Sequence, residues 1–376
     1  MEEISFYRPT ITEREIELIT EALHTQNSGM VKRLEEALKE YFDTKHIIST
    51  NNNAAAYHLS LCAMDIKRGD KFMCSVNAFP GIAQAIRHFD AEPIFVDIDE
   101  DDFGIDPTAL KIALEKHNHK KLKGIFLNHV AGQSAQLDEI YAIAKEYNIK
   151  VLEDANRAMG LTYKGKKLGS MESLISCFQI NSQLKDPIAA AGFIMTNDDE
   201  IAKKANLLRN YALTTGIDKY GNLSYIYDVT DIGVKYDITT INAAYALAQF
   251  EKDAQLIKRR QEIASYYDAE LKDCPHISTP VKKREHIYTQ YIIKIDKNRD
   301  SFARELLERG INTSLHYIPI HLLSYYKNKY ALKVNAFPNA LKTYQQILSI
   351  PIYNALTDAQ VERIVKEIKA VAHARV

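Results

Sequence analysis

Residues 124–155 read GIFLNHVAGQSAQLDEIYAIAKEYNIKVLEDA. A short apolar run at 124–128 is followed by a helical pattern over 137–146 and a second apolar run at 150–153. This is the signature of a βαβ unit, in which two parallel strands are joined by a crossover helix. The same alternation extends outward, with strand candidates at 46–49, 71–75 and 93–97 upstream and at 176–179 and 192–196 downstream. Repeated in this way, it predicts a mostly parallel sheet covered by helices. Ahead of it, Thr12 and Glu15 form a capping box that opens a helix striped by Ile16, Ile19 and Leu23. A second helix over 32–42 carries Leu34, Leu38 and Tyr41.

The pattern changes near residue 250. A helix is expected over 251–271, with Leu256, Ile263, Tyr266 and Tyr267. Then come a strand at 289–295, a helix at 301–308 and a strand at 314–318. A last helix is capped by Thr357 and Gln360 and striped by Val361, Ile364, Val365 and Ile368. The expected organisation is a large α/β domain over 1–250 and a smaller α+β domain over 251–376, without internal repeats.

Composition narrows the function. The chain has 376 residues, 46% hydrophobic and 26% charged, which suits a sizeable globular core. A formal net charge of −1 offers no field for nucleic acid or an anionic membrane. No apolar run has the length of a membrane span, and the start MEEISFYRP lacks the basic-then-apolar order of a secretion signal. Cys62, Cys74, Cys177 and Cys274 stand far apart, so neither a zinc site nor a disulfide framework is expected. A cytoplasmic protein is the expectation.

Several short segments, in order, resemble the DegT/StrS family of nucleotide-sugar aminotransferases. They are Arg68-Gly69-Asp70, Phe95-Val96-Asp97-Ile98-Asp99, His129-Val130-Ala131-Gly132-Gln133, Val151-Leu152-Glu153-Asp154-Ala155, Tyr163-Lys164-Gly165 and His316-Tyr317-Ile318-Pro319-Ile320-His321. The resemblance implies a fold-type I architecture, like that of aspartate aminotransferase, binding pyridoxal phosphate (PLP). The cofactor would lie at the carboxyl ends of the parallel strands, in a site shared across a homodimer. Asp154 takes the place of the carboxylate that pairs with the pyridine nitrogen. His316, Tyr317 and His321 would line the sugar side, although alternation on a strand puts Leu315 and Tyr317 opposite His316 and Ile318.

Other positions of that pocket depart from the family pattern. Asn53 and Ala54 stand in the phosphate turn where Gly and Thr are usual, and Ala54 has no hydroxyl to donate. Ala78 replaces the aromatic that stacks on the ring, and Arg157 replaces His or Gln. Lys235 replaces the Asn that reaches the partner's cofactor phosphate. The segment 176–196, SCFQINSQLKDPIAAAGFIMT, registers on the family without a gap and puts Leu184 at the Schiff-base lysine position. Lys185 is next to it, and on an extended segment adjacent side chains point to opposite sides.

Three functions follow from the resemblance. The first is a divergent member that binds a nucleotide sugar, with transamination altered or lost. The second is an active enzyme using Lys185 to move an amino group from glutamate to a keto-sugar. The third is a non-catalytic partner of an active homologue.

Overall fold

Strand-forming and helical runs alternate along the first two hundred residues, and the chain folds them around one seven-stranded sheet. The computed structural model describes residues 3–25, 28–181, 187–214 and 226–375. The strands are β1 (His46–Thr50), β2 (Lys71–Ser75), β3 (Glu92–Val96), β4 (Leu122–Asn128), β5 (Lys150–Asp154), β6 (Ile175–Asn181) and β7 (Ala190–Thr196). Their order is β1-β7-β6-β5-β4-β2-β3. β7 alone runs antiparallel to its neighbours, and the other pairings are parallel.

Both faces of the sheet are buried, which is why its strands read as nearly continuous apolar runs. Ile125, Leu127, Val151, Phe178 and Phe193 enter one core, while Phe126, Leu152, Cys177 and Ile194 enter the other. Phe178 and Phe193, from adjacent strands, stack with centroids 5.2 Å apart.

The helix α1 (Glu13–His24) begins directly after its Thr12 cap, α2 (Met30–Phe42) starts two residues ahead of the expected 32, and α3 (Asn53–Ala63) follows β1. The Thr12 N–H and hydroxyl both donate to the Glu15 carboxylate, at 2.8 and 2.7 Å. The inward face of α1 differs from the expected stripe. Glu15 and Leu18 are buried, whereas Ile16 and Leu23 are 54% and 65% exposed. The cause is electrostatic: Glu15 pairs with Lys252 and accepts from Gln249 Nε2 at 2.6 Å, which turns this face toward the body of the protein.

The same lysine explains a second departure. The helix expected over 251–271 forms as Asp253–Leu271, and Lys252 separates it from a preceding helix, Thr240–Glu251, that was not expected. Lys252 leaves helical geometry and sends its Nζ to the Thr10 carbonyl at 2.9 Å. In the second helix Ile263, Tyr267 and Leu271 are buried, but Tyr266 faces outward.

Beyond it, the strands Ile277–Ser278, Tyr291–Ile295 and Ile347–Ile350 form a small antiparallel sheet. The helices Arg299–Glu308 and Asp358–His373 contribute to the same core. Ile4 also belongs there: its N–H donates to Gly310 O at 2.8 Å, and its carbonyl accepts from Asn312 N at 3.0 Å. The strand expected at 314–318 does not form. Only Ser314 is paired, with Ser349, and the Tyr317 N–H goes instead to the Asn77 side chain at 3.2 Å. Among the described residues, no helix is long and apolar enough to cross a membrane.

Gly192 on β7 packs directly against the backbone of another element. A β-carbon there would lie 2.3 Å from Asn52 O and 2.4 Å from Asn52 C, both backbone atoms. Gly192→Ala is expected to destabilise the fold by about 2 kcal/mol or more, because neither backbone can yield without moving a strand. Urea unfolding of the variant beside the wild type measures this.

Candidate active site

The carboxyl ends of β1, β2, β4 and β5 converge on a cavity of ≈ 370 Å³. After β1, Thr50 Oγ1 donates to Asn52 O at 2.8 Å, and Asn52 caps α3 by accepting from Ala55 N at 2.9 Å. The turn thereby brings Asn52, Asn53 and Ala54 to one wall. After β2 come Ala78 and Phe79; from the end of β4 comes Asn128; from β5 come Asp154, Asn156 and Arg157. Gln179 of β6 and Tyr317 complete the lining.

Asp154 lies deep in the fold with one side open to the cavity. Burial raises its pKa above the ordinary 3.8, against the pull of the Tyr57 hydroxyl, the Asn156 N–H, His129 and Arg157. The Asn156 N–H donates to Asp154 Oδ1 at 3.2 Å. Tyr57 is buried one helical turn into α3, and its hydroxyl accepts from Asn156 Nδ2 at 2.5 Å and lies beside Asp154, close enough to influence its charge. Burial first, and Asp154 second, hold this phenol well above its ordinary value, so it keeps its proton.

The neighbouring Glu153 points to the other side of the strand. It is fully buried, takes the Tyr141 hydroxyl in a short hydrogen bond, and meets His129 Nε2 and Ser176 Oγ at 3.4 Å each. His129 Nδ1 accepts from Ala135 N at 3.1 Å, so its proton sits on Nε2, directed at Glu153. Asp154 therefore rests on a fully engaged polar layer.

The polar atoms of the floor are arranged in a particular sense. Asn128 Nδ2 donates to Asn77 O at 3.1 Å, which fixes the orientation of its amide because a carbonyl can only accept. Asn128 Oδ1, Asn53 Oδ1 and Asn156 Oδ1 are buried without a hydrogen-bond partner among the described residues. The floor consequently presents acceptors.

The residues singled out in the sequence divide into those at the cavity and those away from it. Asn53, Ala54, Ala78, Asp154, Arg157 and Tyr317 line it together. His316 and His321 do not. His316 is buried with Nδ1 2.8 Å from Ser349 Oγ, and burial together with Arg157 pushes it down to about 3. His321 is buried and donates through Nε2 to Val334 O at 2.9 Å. Lys235 is exposed and bonds Asn210 Oδ1 and Asp237 within its own chain. Leu184 and Lys185 lie outside the described residues. Tyr57, Asn128, Asn156 and Gln179 were not anticipated. Tyr57 alone left a trace in the sequence, as a polar aromatic in the otherwise apolar first turns of α3.

A parallel-rich sheet with a carboxylate at the end of a central strand, facing a cavity beside a helix start, defines a fold-type I PLP-dependent transferase. The chain belongs to the DegT/DnrJ/EryC1/StrS aminotransferase family, whose pattern matches residues 9–369. It is 33% identical to an uncharacterized protein of Methanocaldococcus jannaschii, over 97% of this chain and 96% of that one. It is 30% identical to the spore coat polysaccharide biosynthesis protein SpsC of Bacillus subtilis, over 96% and 95%. A Streptococcus pneumoniae protein described as a sugar aminotransferase, solved in its PMP form, superposes with a TM-score of 0.90. The sequence identity is 25%, and the match covers 99% of this chain and all of that one. In fold the chain is also similar to Helicobacter pylori PseC, with a TM-score of 0.88.

The lining fits PLP only in part. Asp154 suits a protonated ring nitrogen. Ala54 offers no hydroxyl to a phosphate and Ala78 no ring to stack, and Asn53, Asn128 and Asn156 each carry a buried amide oxygen without a partner among the described residues.

Because Asp154 is raised in the fold, ionising it costs folding free energy. Its contribution is most favourable below 3.8 and is lost as pH rises through the raised value. Asp154→Asn is therefore expected to gain stability relative to wild type as pH is taken from about 4 to about 8. Denaturant unfolding of both proteins across that range measures the difference.

Proposed function

We propose that this protein is a divergent sugar-aminotransferase-family member of surface-glycan biosynthesis that binds a nucleotide sugar, with PLP transamination altered or lost. The observation that carries the reading is the composition of the cavity. It keeps its place at the strand ends and keeps Asp154, but its phosphate turn, its stacking position and the residue at 157 have all changed. The core, the hairpins and the HYIPIH segment read as family-like in sequence, so the departures cluster where the cofactor would be held. Unpartnered amide oxygens at the floor suit the hydroxyl donors of a sugar better than the acceptor oxygens of a phosphate. Leu184 at the lysine position is part of the same proposal.

Incubation of the purified protein with PLP is expected to give no internal-aldimine band, and borohydride reduction followed by mass mapping no pyridoxyl adduct. The variant combining Leu184→Lys, Asn53→Gly and Ala54→Thr is expected to bind PLP where the wild type does not. A pyridoxyl group trapped on Lys185 of the wild type would instead establish an active aminotransferase.

The protein is further proposed to act as a cytoplasmic homodimer. Phe79 at the cavity mouth is 69% exposed and Ile232 in the loop before Lys235 is 90% exposed, with Tyr227 and Val229 also outward. Large apolar side chains gathered on one loop beside a site favour a partner surface over water. Lys235, on that loop, would then stand near the partner's site. Sedimentation at micromolar concentration is expected to give twice the chain mass; a monomer would rule this out.

A further inference from the structure

Behind Asn156 and Gln179 lies a second, smaller cavity of ≈ 110 Å³, which shares those residues and Arg157 with the first. Three guanidinium groups line it. Arg8 comes from the N-terminal segment, Arg157 from the loop after β5, and Arg260 from the helix Asp253–Leu271. Among the described residues, the guanidinium groups of Arg8 and Arg157 make no hydrogen bond or ion pair. Arg260 spends its Nε on Ile287 O at 3.1 Å.

The opposing charge is small. Asp253 is the only carboxylate in the lining, and its Oδ2 is buried without a hydrogen-bond partner among the described residues. Burial pushes Asp253 up to about 6, so it stays mostly ionised near neutral pH and offsets one of the three guanidinium charges, leaving an excess of cations. Guanidinium groups keep their proton at any relevant pH. Uncompensated cations around a low-dielectric hollow raise its affinity for anions. Its volume admits one compact group; a cavity that takes a whole small-molecule ligand is roughly 300 Å³ or more.

The position of Arg157 is set from the other domain, since Thr289 Oγ1 donates to its carbonyl at 3.2 Å. Its side chain lies in the wall of both cavities, and its charge is felt at Asp154 on one side and His316 on the other. We propose that the smaller cavity is an anion subsite, in which Arg157, Arg260 and Arg8 hold the carboxylate or phosphate group of a ligand whose remainder lies in the larger cavity. This rests on the proposed function only in assigning that remainder to a sugar.

The test is calorimetric titration of the full-length protein with sodium phosphate and, separately, with sodium glucuronate, at constant ionic strength kept with sodium chloride. Binding of at least one anion is expected, weakened about tenfold or more by Arg157→Gln and by Arg260→Gln, the loss typical of a charge-assisted hydrogen bond. Preference for phosphate or for glucuronate assigns the group to one source. If Arg260→Gln does not fold, Arg157→Gln decides alone, because the guanidinium it removes makes no bond in the fold. Absence of binding by both anions at about 10 mM, or binding unchanged in Arg157→Gln, would overturn the proposal. Anion binding that depends on Arg157 but without affinity for any nucleotide sugar would leave the subsite standing and remove the proposed function instead.

Discussion

The site depends on one close approach, that of the β7 backbone to the turn after β1. Gly192 lies against Asn52 with no room for a β-carbon, and this contact seats β7 between β1 and β6. The antiparallel strand sets the spacing across which the start of α3 faces the end of β5. Asn52 serves twice here, its carbonyl accepting from Thr50 and its side chain capping α3. A helix start held this way directs backbone N–H groups toward the strand ends, the usual reason why α/β sheets bind ligands there.

Within that frame, strand alternation separates two adjacent carboxylates into different roles. Glu153 faces inward and is satisfied by Tyr141, His129 and Ser176, which makes it part of the structure. Asp154 faces the cavity, supported by Tyr57 and Asn156 but with no salt-bridge partner among the described residues. A carboxylate left in this condition costs stability, and the fold retains it in the wall of the larger cavity. Arg157 places a cation where the two cavities meet.

The break at Lys252, just before the helix Asp253–Leu271, and the face that α1 turns inward have a common origin in Glu15. A buried carboxylate requires a cation and donors, and it obtains them from Lys252 and Gln249 more than two hundred residues away. Local periodicity carries no information about such a partner, so the apolar stripe on α1 suggested the wrong inward face. The expected strand at 314–318 has a similar explanation, since the backbone donor at Tyr317 was claimed by the side chain of Asn77.

The alternation of apolar runs with helical patterns determined the α/β class and nearly all the strands of the large sheet. Both cues are local, arising from burial on two faces and from the 3.6-residue period. Cap chemistry at Thr12 and Thr357 placed two helix starts for the same reason. Motif order identified the family, and it located Asp154, Ala54, Ala78 and Arg157 at one site. Tertiary structure alone decided that Tyr317 faces the cavity while His316 and His321 turn into packing. It also brought Tyr57 to Asp154 and gathered Arg8, Arg157 and Arg260 around a common hollow. Those meetings join residues about a hundred or more positions apart, and their cost or gain depends on burial and charge that exist only once the chain has closed.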